Sequence, residues 1–118
     1  MKASTTYKHL KLVEYTSLPL AVLLLFYILS GYGMISNIPS IIGLNYVISS
    51  RIHTLPLLRY ILTVLVIIHS YSGFTIVINR NLQKRVIIRN ILSTINLAYA
   101  LILGFITTLS EISMMLMP

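Results

Sequence analysis

The stretch "LLRYILTVLVIIHSYSGFTIVI", Leu57 to Ile78, decides the fold class. At the helical rise its length comes to about 33 Å, enough to cross the hydrocarbon core of a bilayer. Its apolar residues run continuously instead of alternating, so it reads as a helix and not as a barrel strand. Pro56 falls at the helix start, where its missing N–H costs nothing. Arg59 has a stem long enough to snorkel its charge outward. The anomaly is "HSYSGF", His69 to Phe74, which sets an ionisable ring and three hydroxyls inside this greasy span.

Two further runs flank it. "LPLAVLLLFYILSGYGMI" (Leu18–Ile35) carries no charge, and Ile91–Met115 is broken by Gly104, Glu111 and scattered hydroxyls. Ser17 suits a helix cap with Pro19 in the first turn. A signal peptide is the rival reading of the first run, but the run is long for that and no A-x-A-like site follows. The expectation is an all-α membrane domain filling residues 1–118, with three spans at about 18–35, 57–78 and 91–115. Residues 36–56, rich in Ser, Asn and Pro, are expected to form a connecting loop resting at the membrane interface. Residues 79–90 are expected to form a short basic turn.

Composition agrees. Of 118 residues, 57% are hydrophobic and 9% are charged, against about 25% charged in a soluble domain. The net charge of +7 invites a nucleic-acid partner, yet the charges flank apolar runs instead of forming a patch, so none is expected. With three spans, Lys2, Lys8, Lys11, Arg80, Lys84, Arg85 and Arg89 share one side, and Arg51 and Arg59 the other. The positive-inside rule then puts the N-terminus in the cytoplasm and the C-terminus outside, in a cell or inner membrane. The chain has no cysteine, which removes disulfides, thiolate metal sites and iron–sulfur ligation. No catalytic triad, phosphate loop or carboxylate pair is present, so the chain is not expected to be catalytic alone.

His69 lies near the expected midplane, and an ionisable residue at that depth is a functional hypothesis by default. A neutral imidazole binds iron through one nitrogen while a hydrogen bond holds the other. At helical spacing, Ser72, Gly73, Ile76 and Arg80 share its face toward the basic side. Gly73, one turn on, removes a side chain where a flat macrocycle would lie. Arg80, eleven residues on, falls about 16 Å away on the same stripe, in reach of a propionate or a quinone head group. The opposing reading makes His69, Ser72 and Gly73 an interhelical contact with no cofactor.

In its three spans and in the sequence His69-Ser70-Tyr71-Ser72-Gly73 within the second, the chain resembles the small membrane-anchor subunits of succinate dehydrogenase and fumarate reductase. Those anchors carry a haem-ligating histidine in an H-x-x-x-G context on their second helix. The resemblance implies a b-type haem on His69 shared with another membrane subunit, soluble flavoprotein and iron–sulfur partners on the inner face, and electron transfer to membrane quinone. The sequence departs from the pattern eleven positions after the histidine, where the family often has an aspartate, sometimes followed by a tyrosine that serves the quinone site: Arg80 and Asn81 stand there. The first helix lacks an H-R-x-[ST]-G signature and shows only Ser30-Gly31. There is also a looser likeness to other small b-type cytochromes, through "RIHT" ahead of a helix that holds a second histidine.

His53 is expected in a solvated loop, with a second haem iron as its minor alternative. His9 is expected to be merely interfacial, and Glu111 to be solvated or neutral near the outer end. Because no other histidine shares the depth of His69, a second axial ligand is expected from another chain. Two other classes stay open. One is a haem-free accessory subunit of a larger complex; the other is a transporter or channel element using His69 and Glu111.

Overall fold

The computed structural model describes residues 3–117; Lys2, counted above in the charge bias, lies outside them. Four α-helices and one 3-10 turn make up the described residues: α1 (Ala3–Ile35), the 3-10 turn (Ile38–Ile42), α2 (Tyr46–His53), α3 (Pro56–Asn81) and α4 (Val86–Leu116). Three of these helices, α1, α3 and α4, are long and apolar enough to cross a membrane. The molecule is all-helical, as the uninterrupted apolar runs require, and has the form of a multi-pass membrane protein.

The first helix is longer than expected. It runs 33 residues with Pro19 inside it, about 50 Å at the helical rise. Ser17 is therefore no cap: its hydroxyl donates back to the Val13 carbonyl (2.5 Å), as Thr16 does to Leu12 (2.7 Å). Between Ala3 and Ser17 lie Leu, Lys and Glu residues, good helix formers, with no glycine or proline to stop them. Polarity of a segment, used above as a boundary, is no helix breaker. For the same reason α4 begins at Val86 and takes in Arg89.

The connection between the first two spans is also more ordered than a loop. Gly43 closes the 3-10 turn at a left-handed φ of 87°, a conformation that a Cβ disfavours. Asn45 then caps α2 by accepting from the Ile48 N–H (3.0 Å). The short helix folds back onto α1, where a Cβ at Gly33 would overlap the Ser49 side chain. Ser49 is fully buried in that contact.

α3 is central, with α1 packed on one side and α4 on the other. The assembly is flat, 53 × 33 × 21 Å. Its interior is inverted relative to a water-soluble domain. Among the described residues Leu62 is the one buried hydrophobic side chain, whereas Thr16, Ser30, Ser49, Ser72, Thr75, Asn96 and Glu111 are buried. Leucines, isoleucines and valines cover the outside. In a bilayer, lipid tails offer apolar groups what a protein core offers, so polar and small residues gather at helix contacts.

Candidate functional site

The polar interior divides into two seams along α3. On the α1 side, Thr16 meets His69 and His9 meets Ser72. The Thr16 hydroxyl proton is directed at the Leu12 carbonyl (2.7 Å), so its oxygen accepts from His69 Nδ1–H at 3.0 Å. This fixes the tautomer and leaves the Nε2 lone pair unshared. Among the described residues no buried nitrogen or oxygen lacks a partner, and Nε2 of His69 has none, so it reaches the surface of the molecule. One turn on, the Cβ position of Gly73 has open space around it, with nothing within 4 Å beyond its own stretch of helix.

Ser72, fully buried, turns toward α1 and pairs with His9 Nδ1 at 3.4 Å. The His9 ring also meets Tyr71 edge-on, centroids 5.6 Å apart. His9 is thus built into the α1–α3 seam and is not merely interfacial. The sequence signal for this was available: His9 and Thr16 are seven residues apart, two helical turns, and so share a face. A helix start placed at Ser17 hides it.

His53, expected in a solvated loop, ends α2 and leans on α1. Its ring stacks on Tyr27 (centroids 4.0 Å, 26°). Nδ1–H donates to the Tyr27 carbonyl (3.1 Å), with Ser30 Oγ 3.2 Å away and itself donating to that carbonyl. Gly31 makes room, since a Cβ there would stand 3.2 Å from Cε1 of the ring. As with His69, Nε2 is the nitrogen left over. The two rings belong to different contacts, one with Thr16 near the middle of α3, the other with Tyr27 and Ser30 beyond its start.

The α4 side of α3 is held by charge and amide. Arg59 does not snorkel outward and Glu111 is neither solvated nor alone. The guanidinium grips the carboxylate in a fork, Nε to Oε1 at 2.6 Å and Nη2 to Oε2 at 2.9 Å, with Glu111 8% exposed. A charge in an apolar setting is retained only with such a partner. One turn toward the middle, Tyr60 and Thr108 share a hydrogen bond of 3.1 Å. Deeper still, buried Asn96 donates to the Tyr71 carbonyl (3.0 Å) and to Thr75 Oγ1 (3.1 Å). Nothing in the sequence pairs residues 52 apart; only the antiparallel packing of α3 and α4 does.

Arg80 lies at the opposite end of α3 from Arg59. It borders a cavity of about 470 Å³ together with Thr6, Ile76, Asn79, Gln83 and Arg89. An apolar cleft of about 440 Å³ lies at the other end, between Leu57, Tyr60, Glu111 and Met115. His69 lines neither. Among the described residues no three His, Cys, Asp or Glu side chains converge as a metal cage. What the seam offers is single-histidine ligation, which suffices for a macrocycle that brings its own four nitrogens to the metal. Searches against protein-family models, curated proteins and solved structures find no match.

Proposed function

We propose that this chain is a membrane-anchor subunit of a quinone-linked oxidoreductase, oriented with its N-terminus in the cytoplasm, and that it ligates a b-type haem through Nε2 of His69. The carrying observation is the pairing of a histidine whose Nδ1–H is committed to Thr16 with an open surface at Gly73 one turn away. Both features favour haem ligation: a hydrogen bond on Nδ1 presents the other nitrogen, and a bare backbone one turn away leaves room for a flat ring. Haem, when bound, supplies one-electron transfer. The protein's part is to hold the imidazole rigid through Thr16 and to exclude water with the apolar surface around it. The second axial ligand comes from another subunit in this reading: His69 contacts Thr16, and His9 and His53 sit in separate contacts with Ser72 and with Tyr27 and Ser30.

The test is a reduced-minus-oxidised spectrum of the complex purified through this chain. A b-type signal is expected, with loss of it in His69→Ala and a shifted potential in Thr16→Val. A signal untouched by His69→Ala removes the assignment.

A second reading has its own observation. The pairs Thr16–His69 and His9–Ser72 are what interhelical contacts of a haem-free accessory subunit look like. His69→Gln separates the two: a glutamine amide can still bond Thr16 and hold the helices, but it does not ligate haem. In the accessory reading that variant assembles normally and no b-type spectrum exists to lose.

A further inference from the structure

We propose that the cavity at the Arg80 end is a binding site for a phosphate-bearing anion, and that the headgroup of an anionic phospholipid fills it in the membrane. The site uses neither His69 nor a haem, so it stands independently of the preceding reading, and it gives Arg80 a different ligand from the propionate or quinone that helical spacing alone suggested.

All three long helices contribute to its wall: Thr6 from α1, Ile76, Asn79 and Arg80 from α3, Arg89 from α4, with Gln83 from the turn between α3 and α4. At about 470 Å³ it falls in the usual range of small-ligand sites, roughly 300–1,000 Å³. Two guanidiniums flank it, and Lys84 and Arg85 follow in the same turn. The chain has only two acidic residues, and both are spent elsewhere. Glu14 pairs with Lys11 at 2.8 Å, and Glu111 with Arg59 at 2.6 Å at the far end. Among the described residues, no side-chain hydrogen bond or ion pair engages the guanidinium of Arg80 or Arg89. The two guanidiniums that line the cavity have neither of the chain's two carboxylates beside them, which favours an anion from outside the chain.

Guanidinium forks match phosphate oxygens two at a time, and the Thr6 hydroxyl and Gln83 amide add neutral donors. Location favours a lipid over a soluble ion. The cavity lies where α3 ends at Asn81 and α4 begins at Val86, the level at which the headgroups of a bilayer surround spanning helices. Basic pockets between spanning helices at this level suit anionic headgroups.

The experiment uses the full chain, delipidated in detergent, with native mass spectrometry and thermal unfolding as readouts. Phosphatidylglycerol, phosphatidylcholine and inorganic phosphate are added in separate arms, the last against chloride at equal ionic strength. One tightly retained phosphatidylglycerol is expected, with binding weakened at least about tenfold in Arg80→Gln/Arg89→Gln and little changed in Lys84→Gln/Arg85→Gln. Should the glutamine pair fail to fold, Arg80→Lys/Arg89→Lys keeps the charge and removes the fork, and weakens binding several-fold. Inorganic phosphate that stabilises through the same two arginines, with no gain from phosphatidylglycerol, keeps the phosphate chemistry but makes the source soluble. Equal retention of phosphatidylcholine, or equal losses in the Arg80/Arg89 and Lys84/Arg85 pairs, overturns the site in favour of diffuse charge attraction.

Discussion

The two seams of α3 join the same helix to its neighbours by different chemistry. Toward α4, the contacts are an ion pair and an amide whose partners use one another up: Arg59 with Glu111, and Asn96 with Thr75 and the Tyr71 carbonyl. Toward α1, the contacts are histidine–hydroxyl pairs, and each imidazole has one ring nitrogen outside the pair. A saturated contact can only hold helices together. An unsaturated one holds them and still has a ring nitrogen outside the contact, the feature on which the proposed haem ligation at His69 draws.

Breaking the α4 seam should therefore cost the most stability and no cofactor. Glu111→Ala leaves the Arg59 guanidinium uncompensated in an apolar setting, and the melting temperature should fall by on the order of 10 °C. The double replacement Arg59→Met/Glu111→Met should recover most of that loss, since the penalty lies in the orphaned charge. Thermal unfolding in detergent checks both, and equal losses in the single and double variants would show that the fork stabilises in its own right.

The α1 side has one contact of comparable strength, at its junction with α2. Gly33→Ala drives a methyl into Ser49 and should destabilise by about 2 kcal/mol. Protease sensitivity of the 36–56 connection should rise with it, leaving the Arg59–Glu111 end intact. In the α4 seam, Asn96→Ala should cost about 1 kcal/mol, the worth of a buried interhelical amide contact. A loss below a few tenths would mean that Thr75 satisfies itself through the Tyr71 carbonyl alone.

The smallest expected effects sharpen the comparison most. Thr16→Val frees His69 Nδ1–H and should cost only about 0.5 kcal/mol, while its effect on any bound haem should be plain in the spectrum. Gly73→Ala meets open space and removes a flexible residue from a helix interior, so stability should hold or rise by up to about 1 kcal/mol. The same methyl stands where a flat ring would lie, so haem content should fall. An alanine variant that keeps both its stability and its haem would end the notch argument.

How far the sequence could be read follows from what each feature depends on. The three spans were legible because an uninterrupted apolar run of that length has few other fates, and His69 was legible because a titratable ring inside such a run is costly. The helix boundaries were missed at Ser17 and Ile91 because polarity was taken for irregularity, although the residues there favour helix. That error hid His9, which needs a continuous helix from Ala3 to lie on the same face as Thr16. The fate of Arg59 was misjudged for a different reason: from one helix alone, a cation near a span end has only the interface to reach for.

The amino-acid sequence by itself thus determined the class: helices that bury their backbone polar groups within themselves, long enough to span a bilayer, with the charges pushed to their ends. It also determined which residue is hardest to explain as packing, His69. Only the tertiary structure decided the partners. Thr16 with His69, Tyr27 with His53 and Arg59 with Glu111 lie 53, 26 and 52 positions apart, and no local periodicity relates them. Helical spacing fixes the face a side chain occupies, whereas the order and register in which helices pack fix what that face meets.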